Sequence, residues 1–169
     1  ARFVRTHDAV TAALDLAASA SLTPSALELI APEPRLLVRF DSTQQSAQHM
    51  AAAAVALLAP RSVATEILDV EAESAAWADH HARESVDDGL LARVSALPMA
   101  TAGVCDLVQQ LATDLGVACK MTGRAALGVM RVHATGDRAA LQRFAVALRT
   151  GVAAQNGHVQ FAAGVSLEQ

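Results

Sequence analysis

The 169-residue sequence has no tyrosine, one tryptophan and four phenylalanines. That scarcity argues against a stacking platform for single-stranded nucleic acid, where each aromatic face contributes about 1–3 kcal/mol per base. A net charge of −4 argues against a phosphate-backbone surface for the same partner. Two cysteines, Cys105 and Cys119, make neither a disulfide framework nor a metal-type spacing, and both read as small core residues. No run is apolar enough to cross a bilayer, since the best stretch, 50–59, is short and mostly alanine. No basic segment followed by an apolar one opens the chain, so a reducing cytoplasm is the expected location. Neither G-x-G-x-x-G nor G-x-x-x-x-G-K-[ST] occurs, which leaves the chain without a nucleotide fingerprint.

What is abundant is alanine. Hydrophobic residues make up 53% of the chain and charged ones 18%, which favours a buried core over disorder. Helices and sheet are expected to approach closely over small side chains.

The chain also reads as if written twice. Ala1-Arg2-Phe3-Val4-Arg5 leads into an Ala/Leu helix pattern, as Ala92-Arg93-Val94-Ser95-Ala96 leads into another. Arg35-Leu36-Leu37-Val38-Arg39-Phe40 and Leu127-Gly128-Val129-Met130-Arg131-Val132 each precede a further helix. The two series recur at an offset of roughly 90 residues.

Four helices share one stripe: Val10, Ala13, Leu14, Ala17; Ala47, Met50, Ala51, Ala54; Val104, Leu107, Val108, Leu111; and Leu141, Phe144, Ala145, Leu148. Each should bury one face on a sheet. Ser42 with Gln45 is the expected cap of the second helix, and Thr135 or Asp137 of the last. Strands are expected at 2–5, 25–30, 35–40, 63–68, 90–97, 117–121, 127–132 and 158–161. Turns are expected at Pro32-Glu33-Pro34 and Thr122-Gly123-Arg124. Arg35, Leu37 and Arg39 alternate with Leu36, Val38 and Phe40, so one sheet face should be polar and uncovered.

The pattern predicts an α+β fold of two fused ferredoxin-like βαββαβ units, an antiparallel sheet with helices on one face. The units span 1–69 and 89–162, joined by an acidic helical connector, 70–88, and followed by a tail, 163–169. In the connector, Asp69 is the expected cap, and Trp77 an anchor against the sheet. Asp79 and Arg83 make an i,i+4 pair, unless Arg83 reaches a substrate carboxylate instead. His80 and His81 point about 100° apart on a helix, cannot chelate one ion together, and read as solvated or capping.

Arg93 lies within an apolar strand, where it either meets an acidic neighbour or clamps a substrate anion. Lys120 poses the same question. Arg39 and Arg131 occupy corresponding places in the two copies. His133 and His158 are imidazoles without a visible nucleophile or carboxylate partner.

Several segments together resemble the C-terminal domain of FAD-linked oxidases of the glycolate oxidase and D-lactate dehydrogenase type. They are Leu22-Thr23-Pro24-Ser25-Ala26-Leu27-Glu28-Leu29-Ile30, Leu36–Phe40, the connector 77–83, Leu91–Pro98 and Asn156-Gly157-His158-Val159. Within that group the likeness is nearest to the smaller flavin subunits of glycolate oxidases.

The resemblance implies a cap over the flavin of an oxidoreductase acting on a small 2-hydroxy acid such as glycolate or D-lactate. FAD would be held by a vanillyl-alcohol-oxidase-type domain of the same parent protein or complex, absent from this chain. The chain alone is then expected to bind no cofactor and to be inactive. Arg93 and Arg83 are the implied substrate-binding residues and His158 the implied catalytic one. The family's Gly-Asp-Gly-Asn-Leu-His segment is reduced to His133-Ala134-Thr135-Gly136-Asp137, so no metal is expected. The other open reading is a ferredoxin-like module that uses its sheet face to bind a ligand or a second copy of itself.

Overall fold

In the computed structural model, which describes residues 1–82 and 89–163, helices and strands follow one another twice in the same order. The elements are α1 (Thr6–Ala18), β1 (Ala26–Ala31), β2 (Arg35–Arg39), α2 (Gln44–Leu58), α3 (Val70–Ala82), β3 (Leu90–Ser95), α4 (Thr101–Leu115), β4 (Ala118–Arg124), β5 (Val129–Thr135), α5 (Arg138–Ala154) and β6 (His158–Ala163). The strands form one antiparallel sheet in the order β2-β1-β4-β5-β3-β6.

The second unit is a complete ferredoxin-like motif. Its strands β3, β4, β5 and β6 lie in the spatial order second, third, first, fourth. The first unit repeats that order with its outer strands reduced to single residues: Arg2 bridges to Arg35 on one side and to Ala64 on the other. The units join along β1 and β4, each the second strand of its own unit, through Leu29↔Gly123, Ile30↔Thr122 and Ala31↔Met121. The fold is thus the α+β arrangement expected from the repeat.

Several boundaries differ from expectation. The strands expected at 2–5 and 63–68 are only the two bridges, because α1 already starts at Thr6 and the chain beyond Ala64 finds no ladder. Thr122-Gly123-Arg124 is not a turn but the end of β4, paired with both β1 and β5. The reversal lies further on, in a 3-10 turn over Ala125–Leu127 that Gly128 closes. Thr43, not Ser42, caps α2 by accepting from the Ser46 amide, and Asp137 caps α5 through the Ala140 amide.

The alternation expected along β2 extends across the sheet. Leu36 on β2, Leu29 on β1, Met121 on β4, Met130 and Val132 on β5 and Ala92 and Val94 on β3 enter the core. Against them pack α1 with Ala9, Ala12, Ala13 and Leu16, α4 with Val104, Cys105 and Val108, and α5 with Phe144, Ala145 and Leu148. Alanine at these contacts removes the bulk that would otherwise hold helix and sheet apart. Among the described residues no helix is long and apolar enough to cross a membrane.

Gly128 has φ +69°, and a Cβ there would lie 1.9 Å from the Ala96 carbonyl oxygen. Gly116 has φ +66° with nothing within 4 Å. Gly116→Ala is therefore expected to cost about 1 kcal/mol of stability for the left-handed backbone alone. Gly128→Ala, which adds a collision, should cost about 3 kcal/mol or more. Urea midpoints measure the contrast, and equal shifts would refute it.

Cys105 is fully buried, and burial pushes its thiol from 9.0 up to about 12, with smaller contributions from Asp106 and Cys119. Folding thus holds a proton that the unfolded chain releases at lower pH. The associated stability is complete below pH 9.0 and is lost as pH rises towards 12. At pH 8 Cys105 should resist iodoacetamide in the native protein and react in urea; prompt native labelling would contradict the burial.

Candidate functional site

Four helices cover one face of the sheet, and α3 crosses the other. Asp69 starts α3 by accepting from the Ala72 amide at 2.9 Å, as its position before Val70 suggested. Glu71 and Glu73 follow in the first turn, where negative charge suits the helix end, and His80 and His81 close the last turn. Of its thirteen residues only His80 is buried. The helix has no apolar stripe, and polar contacts tie it to the sheet.

Two tethers fix α3 to the sheet. Arg39 at the end of β2 pairs with Asp41 at 2.9 Å and with Glu73 of α3 at 3.2 Å. The second tether centres on Glu28 of β1, whose side chain is only 12% exposed. Arg124 of β4 donates through Nε to Glu28 Oε1 at 3.3 Å. His80 Nε2 lies 3.9 Å from the other carboxylate oxygen, an electrostatic contact too long for a hydrogen bond. The Nδ1 of His80 is buried without a hydrogen-bond partner. Trp77 meets the His80 ring edge to face, 5.6 Å between centroids at 88°, and His81 flanks both.

The expected solvated or capping role of the His80-His81 pair is corrected for His80 alone. One imidazole of the two is exposed, as adjacent helical positions require, but the other is driven inward by the carboxylate beneath it. Trp77 lines the cleft between α3 and the sheet, and its ring contacts are with His80 and His81 of its own helix. Glu28 and Arg124 were not singled out as site residues in the sequence. Glu28 alternates with Leu27 and Leu29 onto the uncovered face, and that signal was available.

Between α3 and the sheet lies a cleft of about 580 Å³. Four arginines line it, Arg39, Arg93, Arg124 and Arg131, from four different strands. Glu28 is the one carboxylate among its described lining residues, with Trp77, Leu127 and Val129 supplying apolar wall.

Arg93 and Arg131 are direct cross-strand partners on β3 and β5. Both are exposed, and like charges so placed repel. Among the described residues the Arg93 side chain makes no hydrogen bond or ion pair, whereas Arg131 is partnered.

The other expected residues lie apart from the cleft or outside the description. His158 is exposed on β6, opposite Ser95 and two residues from the Arg93↔Gln160 pair. It shares the uncovered face with Arg93 but does not line the cleft. Lys120 and His133 face each other across β4 and β5, further along the same surface. Arg83, the end of the connector and most of the tail lie outside the described residues. No protein-family model and no curated protein matches the chain.

Glu28→Ala should remove both the Arg124 and the His80 contact and loosen α3. A loss of about 1–3 kcal/mol is expected, mostly from the buried imidazole left facing no charge. Urea unfolding followed by circular dichroism measures it. Unchanged stability would show that α3 is held by other means.

Proposed function

We propose that the chain is the C-terminal cap domain of an FAD-dependent oxidoreductase that oxidises a small 2-hydroxy acid. One observation carries the reading: Arg93, without an acidic partner among the described residues, lines a cleft on the sheet face that the core helices leave bare. A carboxylate matches the planar fork of the arginine guanidinium.

The family likeness of the segments around Leu22–Ile30 and Leu91–Pro98 supplies the flavin. The described residues of the cleft suit an oxyanion rather than a dinucleotide, so FAD is assigned to a separate domain of the parent protein or complex. That cofactor, when supplied, accepts the hydride equivalent from the substrate α-carbon. The tasks left to this chain are to hold the carboxylate at Arg93, to wall the cleft with α3 and to exclude water from it.

His158 is the candidate acceptor of the hydroxyl proton for a substrate lying towards β6. The cleft volume falls within the range of about 300–1,000 Å³ usual for small-molecule sites and leaves room beside a small acid for the edge of a ring.

A surface for the flavin domain is available beside the cleft. Leu97, Met99 and Leu127 are 63%, 82% and 61% exposed and lie on two 3-10 turns that touch each other. Exposed apolar side chains grouped in this way suit a covering partner. The free thiols of Cys105 and Cys119 fit a reducing compartment, the cytoplasm in this reading.

In the flavin-loaded parent protein, Arg93→Ala is expected to lower kcat/KM for the 2-hydroxy acid by an amount equivalent to about 2–4 kcal/mol, with flavin content unchanged. Normal turnover by that variant would remove Arg93 from the substrate site. A parent gene encoding no flavin-binding domain, in itself or in a partner, would remove the reading as a whole.

A further inference from the structure

We propose that the cleft is an oxyanion-binding site belonging to this chain alone, in which Arg124, oriented by Glu28 and backed by His80, holds the ligand together with Arg93. The flavin reading uses the same cleft, but this site does not depend on it.

The argument begins with Arg124. Its side chain is 68% exposed, yet its Nε is fixed on Glu28. A guanidinium held by Nε keeps its two terminal amino groups for another acceptor, and here Arg124 lines the cleft. Glu28 can act as a fixed point because it is itself enclosed. A carboxylate so little exposed is costly unless partnered, and its partners come from two elements, Arg124 on β4 and His80 on α3.

The network is also incomplete. The Nδ1 of His80, in a residue 2% exposed, has no hydrogen-bond partner. Buried polar atoms are satisfied in the great majority of native sites, and the exceptions concentrate where a ligand or a function accounts for them. Arg39 does not belong to the ligand set, because Asp41 and Glu73 already match it.

The guanidinium groups of Arg93 on β3 and Arg124 on β4 thus line one open volume, and Trp77, Leu127 and Val129 form its apolar side. The fitting ligand is a carboxylate or phosphate on a short apolar or flat body.

Trp77 is the only tryptophan of the chain, lines the cleft and touches His80. Its fluorescence therefore reads the site directly. The purified chain is titrated with D-lactate and, separately, with inorganic phosphate, against potassium chloride at matched ionic strength. A saturable change with either anion, absent with chloride, is expected.

Arg124→Gln and Arg93→Gln should each weaken it by about tenfold, the scale of one lost charge-assisted contact. Glu28→Gln, which keeps an acceptor for Arg124 but not the charge, should weaken it by about threefold and Glu28→Ala by more, on the same scale. Arg35→Ala removes an equal charge from the same sheet face outside the cleft lining and should change the affinity less than about twofold.

Saturation by phosphate but not D-lactate would support the site and count against the 2-hydroxy acid. Saturation by D-lactate alone would support both. No saturation with either, or equal weakening by Arg35→Ala and Arg124→Gln in folded variants, would overturn the proposal.

Discussion

Two half-sheets meet along β1 and β4 in three residue pairs, and the arrangement of the uncovered face depends on that junction. Register there places Glu28 of one unit beside Arg124 of the other, two residues separated by 96 positions in sequence. A slip of one residue would turn Glu28 into the alanine-rich core and Leu29 out of it. The apolar alternation that builds the core therefore also fixes the polar contact on its far side. Helix α3 then has a charged point on which to rest, and the cleft has a wall.

The unequal faces divide the labour of the molecule. On one side, buried Phe144, Leu148, Val108 and Leu16 hold α5, α4 and α1 to the sheet through dispersion and the removal of apolar surface from water. On the other, α3 is held through the contacts of Glu73 with Arg39 and of His80 with Glu28. The Arg39 pairs are exposed enough to exchange with solvent at modest cost, whereas Glu28 and His80 are enclosed. Stability accordingly resides on the helical side, and adjustability on the side that carries the arginines.

Much of the fold was legible in the sequence because it is written in local periods. The helix stripes, the strand alternation and the doubled order need no knowledge of distant contacts. Gly123 was misread because a glycine before Arg124 looks like a turn; in the sheet it sits where a Cβ would lie 2.4 Å from the Val129 carbonyl oxygen. The outer strands of the first unit were overestimated because residues 63–68 have strand-like composition but pair only at Ala64. Of the site, Arg93 could be read, since an arginine inside an apolar strand stands out. The union of Glu28, His80 and Arg124 could not. It depends on the register between units and on where α3 lands, and neither is encoded within any short window.

The alanines at the helix–sheet contacts carry a consequence for how such a chain can change. Ala9, Ala12, Ala13, Ala92, Ala134 and Ala145 are wholly enclosed, and apart from glycine every replacement is larger. Added volume in a close-packed interior is resisted, so these positions are closed to drift. The bare face has no such restriction, because its side chains end in solvent or in the cleft. Over a lineage, the helical side acts as a conserved mould, while the arginine-bearing side is free to be re-lettered for a different ligand.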